Sequence, residues 1–184
     1  MAQTRRDLAY FHLPGLFEFY PLYRVFLPLY REHPEYFYGW CAIGSIYGAP
    51  ADCIWGGGRV GFGDDRPEDV LALLEEYGIS ARLTFSNSLL RQEHLSDRRC
   101  NALCRRFGSR EGNGVIVASD LLTDYLRRQY PALYLVSSTT KVLTDWDAFV
   151  RELNRPEFRY VVPDFRLNPA LDLLDTLSQT QKDK

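Results

Sequence analysis

The stretch WGGGRVGFGDD, residues 55–65, sets five glycines around Arg59 and closes on Asp64 and Asp65. Gly56, Gly58 and Gly61 meet the G-x-G-x-x-G spacing of a dinucleotide loop. That chemistry needs the loop to run straight into a helix whose first N–H groups hold a pyrophosphate. Asp64 and Asp65 stand at that point and repel phosphate. The glycines instead let the backbone turn sharply and approach another segment closely, so that the loop presents Arg59. Other polar groups follow apolar runs. Asn87 follows SARLTFS, Ser119 and Asp120 follow GVIVA, Ser138 to Lys141 follow LYLVS, and Asp164 and Arg166 follow FRYVVP. The cations Arg59, Lys141 and Arg166 suit an anionic or otherwise polar small ligand, because a guanidinium grips a carboxylate or phosphate with two parallel hydrogen bonds. The expected ligand set is Arg59, Asn87, Ser138, Thr139, Lys141, Asp164 and Arg166. Structural duties compete for some of these polar groups. Ser119 or Asp120 can cap a helix, Asn87 can close a turn, and Asp164 can pair with Arg166.

No catalytic constellation is identified. His12, His33 and His94 are isolated, and no H-E-x-x-H, G-x-S-x-G or G-K-[ST] motif occurs. Catalysis would lean on Asp164, Lys141 or a tyrosine as acid or base. The four cysteines form no C-x-x-C pair. Cys100 and Cys104 are one helical turn apart and read as buried thiols, with no further ligand nearby to make a metal site. No metal or cofactor is expected within the chain.

The elements that must position these groups alternate strictly. Strands are expected at 8–17, 40–48, 80–86, 113–119, 133–139 and 158–164. Helices are expected at 21–33, interrupted by Pro28, and at 65–78, 95–108, 120–131, 144–156 and 168–178. The 65–78 helix has Asp65 as cap, Glu68 three residues on, Pro67 in the first turn and Gly78 as stop. Ser96 or Asp97 caps 95–108, and Thr144 or Asp145 caps 144–156. Residues 1–178 form a single barrel-like domain, and the polar tail 179–184 frays.

About six strand–helix units imply a parallel sheet. Strand 80–86 separates two architectures. Ala81, Leu83 and Phe85 make an apolar face, whereas Arg82, Thr84 and Ser86 make a polar one. A doubly wound open sheet buries both faces in apolar layers and is the alternative. A polar inner face suits a parallel (βα) barrel of TIM type, which at about eight strands and roughly 250 residues would here be incomplete. Its open edges call for a cover, by self-association as a homo-oligomer or by a missing C-terminal segment.

An apolar share of 46% supports a packed core, and a net charge of −2 gives no basic field for nucleic acid. No run is long enough to span a bilayer, and the N-terminus lacks a signal-peptide core, so a cytoplasmic protein is expected.

The segments APADCIWGGGR, ARLTFSN, NGVIVASDLL, LYLVSSTTKV and YVVPDFRLN resemble, in that order, the barrel domain of the collagenase-like peptidases. The likeness is strongest to uncharacterised bacterial members carrying YGAP, WGGGR, SSTTK and PDFRLN-like segments. In that group a strand carrying Asp-Ala-Val-Tyr leads to a glycine loop ending in Arg. Later strands end in Asn, in Ser-Thr and in an Arg-containing turn. The resemblance maps these onto Asp52–Arg59, Asn87, Ser138–Thr139 and Arg166. It implies a hydrolase or a redox-related barrel, since the group includes peptidases and proteins that assist hydroxylation of RNA or quinones. Many members carry an iron–sulfur cluster on a cysteine-rich segment after the barrel strands. Such a cluster is expected here only if the native protein extends beyond Lys184. Pro-Asp-Phe-Arg stands where the group has Ser-Arg-Glu. Besides the ligand-binding barrel, two other functions follow. One is a non-catalytic protein-interaction module, suggested by the aromatic runs FEFYPLYRVFLPLY and PEYFYGW. The other is a truncated part of an iron–sulfur redox or hydroxylation protein.

Overall fold

The computed structural model describes residues 8–59 and 66–184, with backbone alone at Gly58 and Arg59. The Arg59 side chain and residues 60–65, with the expected Asp65 cap, lie outside the described residues. Strands β1 (Ala9–Pro14), β2 (Cys41–Gly48), β3 (Ser80–Phe85), β4 (Gly114–Val117), β5 (Tyr134–Ser137) and β6 (Phe158–Val161) alternate with helices. The helices are α1 (Tyr20–Glu32), α2 (Pro67–Glu76), α3 (Arg98–Gly108), α4 (Asp120–Gln129), α5 (Trp146–Leu153), α6 (Leu171–Leu174) and α7 (Gln179–Lys182). All strand pairings are parallel, and the order runs β1-β2-β3-β4-β5-β6 without reversal. Right-handed crossovers in a consecutive order put the helices on one face. The sheet therefore curls into a half-barrel, an incomplete βα barrel.

Local chemistry sets the helix starts. Asp97 accepts the Cys100 N–H at 2.8 Å and caps α3, and Asp145 accepts the Ala148 N–H at 2.9 Å and caps α5. Ser119 accepts the Leu122 N–H at 3.3 Å and caps α4, so its capping role is occupied. Helix α1 runs unbroken through Pro28. Burial of Tyr23 and Leu27 against the core outweighs the roughly 3 kcal/mol that an internal proline costs.

The convex face of the sheet carries Ile46, Ala81, Leu83, Phe85, Val115, Val117, Leu135 and Phe158, all buried under the helices. The register puts Ser45, Tyr47, Arg82, Thr84, Tyr134 and Tyr160 on the concave face. His12 joins them after a bulge that skips Gly44, where a Cβ would stand 2.7 Å from the His12 ring. The curl brings His12 on one edge strand within 6.3 Å of the Tyr160 ring on the other, centroid to centroid.

Beyond the unbroken α1, the helix expected at 168–178 shortens to Leu171–Leu174, and expectations for the cysteines and the tail change. Cys100 is no free thiol: it forms a disulfide with Cys53, across a sequence separation of 47. The loop after β2 folds back onto α3, a contact that local spacing does not encode. Cys104 stays a free, buried thiol. The 179–184 tail, expected to fray, forms α7, capped by Ser178 and Gln181. Beyond it the Lys184 carbonyl accepts the Val161 N–H at 2.9 Å on the open side of β6.

Gly114 lies beneath the Tyr134 ring, and a Cβ there would sit 2.5 Å from it. Gly114→Ala should displace Tyr134 and cost about 1–3 kcal/mol, the usual range for overpacking. Urea unfolding checks this. An unchanged midpoint would show that Tyr134 has room to move.

Candidate functional site

The glycine loop begins as a short 3-10 stretch, Ile54–Arg59, kinked at Gly57 with φ 64°. Its role here is close approach: a Cβ on Gly57 would stand 3.0 Å from the Asn87 Cα. Asn87 holds the loop. Its Nδ2 donates to the Ile54 carbonyl at 2.8 Å, and its N–H donates to the Trp55 carbonyl at 3.1 Å. Its Oδ1 also accepts the Leu89 N–H at 2.9 Å, closing a turn. Trp55 is fully buried, packs edge-on against Phe85, and donates its indole N–H to the His94 carbonyl at 2.8 Å. With the Cys53–Cys100 disulfide, these contacts fix the loop to the end of β3 and to α3.

The other expected residues fall into two groups. Ser138 is buried after β5, where its hydroxyl shares a 2.8 Å hydrogen bond with Thr140 and accepts the Thr140 N–H. Thr139 donates to the Pro163 carbonyl at 3.4 Å, which ties the ends of β5 and β6 together. Asp164 is buried there, caps a short turn through the Arg166 N–H at 3.0 Å, and lies 3.5 Å from the Arg166 guanidinium. Lys141 turns the other way, into the layer between sheet and helices. Its Nζ donates to Glu152 at 2.7 Å and to Asp120 at 3.1 Å.

Glu152 centres that second group. It also accepts from Ser137 at 2.5 Å and pairs with Arg155 at 3.2 Å, and Arg155 in turn reaches Asp120 and Glu157 at 2.7 Å each. Burial raises the Glu152 carboxyl, but hydrogen bonds from Lys141 and Ser137 and the charges of Lys141 and Arg155 outweigh it and hold it below its ordinary value. Glu152 lies on the buried face of α5 with Phe149 and Leu153, and the signal it offered was an acid three residues from Phe149 on an otherwise apolar face.

The concave face gathers a different set. Arg82 is 4% exposed, and its Nε donates to the Tyr134 hydroxyl at 2.6 Å. Its guanidinium lies over the rings of Tyr134 and Tyr160, at 5.3 and 4.9 Å. Ser80 meets the same Tyr134 hydroxyl at 2.6 Å. His12 shares a 2.8 Å hydrogen bond with Ser45, and partial burial, then the Arg82 charge, lowers its pKa to about 4.

Above this cluster, at the carboxyl end of the strands, a cavity of about 310 Å³ opens between Pro14, Glu18, Phe19, Tyr47, Gly48 and Thr84. The Thr84 hydroxyl is buried and has no hydrogen-bond partner, and neither has that of Ser86 on the same face. The alternation in SARLTFS pointed to Arg82, Thr84 and Ser86, and Glu18 and Phe19 stood out only as part of the aromatic run FEFYPLYRVFLPLY, but nothing local marked Tyr134 or Tyr160. A second cavity, of about 350 Å³, lies at the opposite, amino end of β5 and β6, beside Tyr134 and Arg159.

Comparison with known proteins finds no matching family model, no matching curated protein and no matching solved structure. Among the described residues, no group of three or more His, Cys, Asp or Glu is placed to hold a metal ion, and no helix is long and apolar enough to cross a membrane.

Glu152→Gln should destabilise the protein at pH 7 by about 1–3 kcal/mol, since it leaves Lys141 and Arg155 short of a partner in a largely buried site. A carboxyl depressed on folding contributes fully above its ordinary value, here 4.5, and loses that contribution as pH falls through its lower folded value. The gap between wild type and variant should therefore narrow below pH 4.5 in urea titrations at stepped pH. A constant gap would show that Glu152 does not titrate against this network.

Proposed function

We propose that this chain is the barrel portion of a protein of collagenase-like peptidase type, and that it binds a small polar ligand at the carboxyl mouth of the half-barrel. Thr84 carries the binding reading. A buried hydroxyl without a partner costs about 1–3 kcal/mol, and such groups in folded proteins are normally completed by something. Thr84 lines a cavity at the strand ends, where parallel strand–helix folds place their ligands. The resemblance draws support from the packing of two of its segments, since Asn87 bonds directly to the 52–59 loop. The ligand is polar rather than anionic on this reading, because Lys141 and Arg166 are already paired with carboxylates. No nucleophile and base are assigned, so the proposal is one of binding.

A second reading, an interaction module whose partner covers the sheet edges, has its own observation. Among the described residues, all exposed large apolar side chains except Ile54, Leu89 and Val142 fall within 10–40 or 162–174. Those segments flank β1 and β6, the two open edges. Leu22, Val25 and Leu29 form an exposed apolar stripe along α1.

Thr84→Val keeps the shape and removes the hydroxyl. It should leave the ligand-free protein as stable as wild type or more so, and should reduce the thermal stabilisation given by a polar compound found by screening. A clear loss of ligand-free stability would mean that the hydroxyl is already satisfied and would remove the basis of the binding reading. For the second reading, light scattering at rising concentration should show the wild type associating and the Leu22→Glu, Val25→Glu double variant remaining monomeric. A wild type that stays monomeric and binds no apolar dye would sink it.

A further inference from the structure

The mouth cavity has a charge of its own. Glu18 is exposed at its rim, and no described cation lies within ion-pair distance of it. Among the described residues, no lysine or arginine lines the cavity. Arg82, the nearest basic residue along β3, lies two residues below Thr84, about 6–7 Å along a strand. It is committed to the Tyr134 hydroxyl and to two aromatic rings. Phe19, about half exposed, and Tyr47 add aromatic surface beside the carboxylate. The Tyr23 hydroxyl, which donates to the Pro14 carbonyl, registers the same grouping. Its pKa is pushed up to about 12 by burial, then by Tyr47 and by Glu18, so both groups stand close to the end of β1.

A free carboxylate, aromatic surface and a buried unpartnered hydroxyl around one cavity form a recognisable combination. A cation gains from a carboxylate and from ring faces, whereas an anion is repelled by both. We infer that the ligand of this mouth carries an ammonium group, held by the Glu18 carboxylate beside Phe19 and Tyr47, with its polar remainder on Thr84. This rests on the reading that the mouth is a ligand site. It also reverses the charge that the basic strand ends suggest from sequence: Lys141 and Arg166 are paired with carboxylates, and the described lining of the cavity holds an acid.

Three matched probes test the sign of the charge: n-butylammonium chloride, sodium butyrate and n-butanol, at equal ionic strength. Each is titrated into the isotope-labelled chain while backbone amide resonances are followed by NMR. Butylammonium should shift the amides of Gly15, Glu18, Gly48 and Ala49 saturably, and more strongly than the other two probes. Added salt should weaken it. Glu18→Gln, an exposed substitution whose spectrum reports its own folding, should weaken butylammonium at least about threefold, the scale of a partly exposed ion pair. If butyrate or butanol shifts these amides as much, or Glu18→Gln leaves butylammonium affinity unchanged, the ammonium assignment fails while the mouth remains a ligand site. If no probe shifts them, the site itself is wrong.

Discussion

A guanidinium shielded from water on the inside of a curled sheet must be solvated by the protein, and much of this structure follows from that demand at Arg82. Burying a charge without a partner is costly, and no described carboxylate lies within ion-pair distance of this one. The Tyr134 hydroxyl and the faces of Tyr134 and Tyr160 take the place of an anion. Each such cation–ring contact contributes about 0.5–2 kcal/mol. For Tyr134 to reach across from β5 to β3, the intervening strand must have no side chain at the crossing, and Gly114 meets that need. The cluster thus sets how the middle strands sit over one another, and it fills the concave face at that level. Beyond Arg82 along β3 the filling stops, and the space above Thr84 remains open as the mouth cavity.

The convex side solves its polar problem differently. There Lys141, Glu152, Arg155 and Asp120 neutralise one another between the sheet and helices α4 and α5, and both Lys141 and Arg155 lie over the Phe158 ring. A network of this kind locks the end of β5 to the helix layer. It also removes Lys141 from the surface as a ligand group, because the side chain is nine-tenths shielded and its ammonium is already bonded to two carboxylates. Among the described residues, the rim of the half-barrel is consequently less basic than its composition suggests, and the free charge at the mouth is the Glu18 carboxylate.

The edges of the sheet carry a separate consequence of the fold. A closed barrel has no edge strands, whereas six strands leave two. The side chains His12 and Tyr160 narrow the gap across the concave face, and Lys184 meets one backbone group of β6. The apolar surface nevertheless stays concentrated beside β1 and β6. Phe19 belongs both to the mouth cavity and to the apolar surface beside β1, so ligand binding and covering of that edge meet at this residue.

The sequence by itself determined the parallel strand–helix alternation, because hydrophobic period, caps and strict alternation are local and repeat in each unit. Alternation in SARLTFS also showed that β3 has a polar face, and the expected capping roles of Asp97, Ser119 and Asp145 are where the helices begin. Local pattern records which face a residue occupies but not what stands opposite. Only the tertiary structure decided that Cys53 meets Cys100, that Lys141 turns toward Glu152, and that Tyr134 and Tyr160 cover Arg82. It also brought Glu18, a residue of the β1–α1 connection, to the same cavity as Thr84. These contacts join segments far apart in the chain, and the curvature of the sheet, which no short stretch encodes, fixes which of them converge.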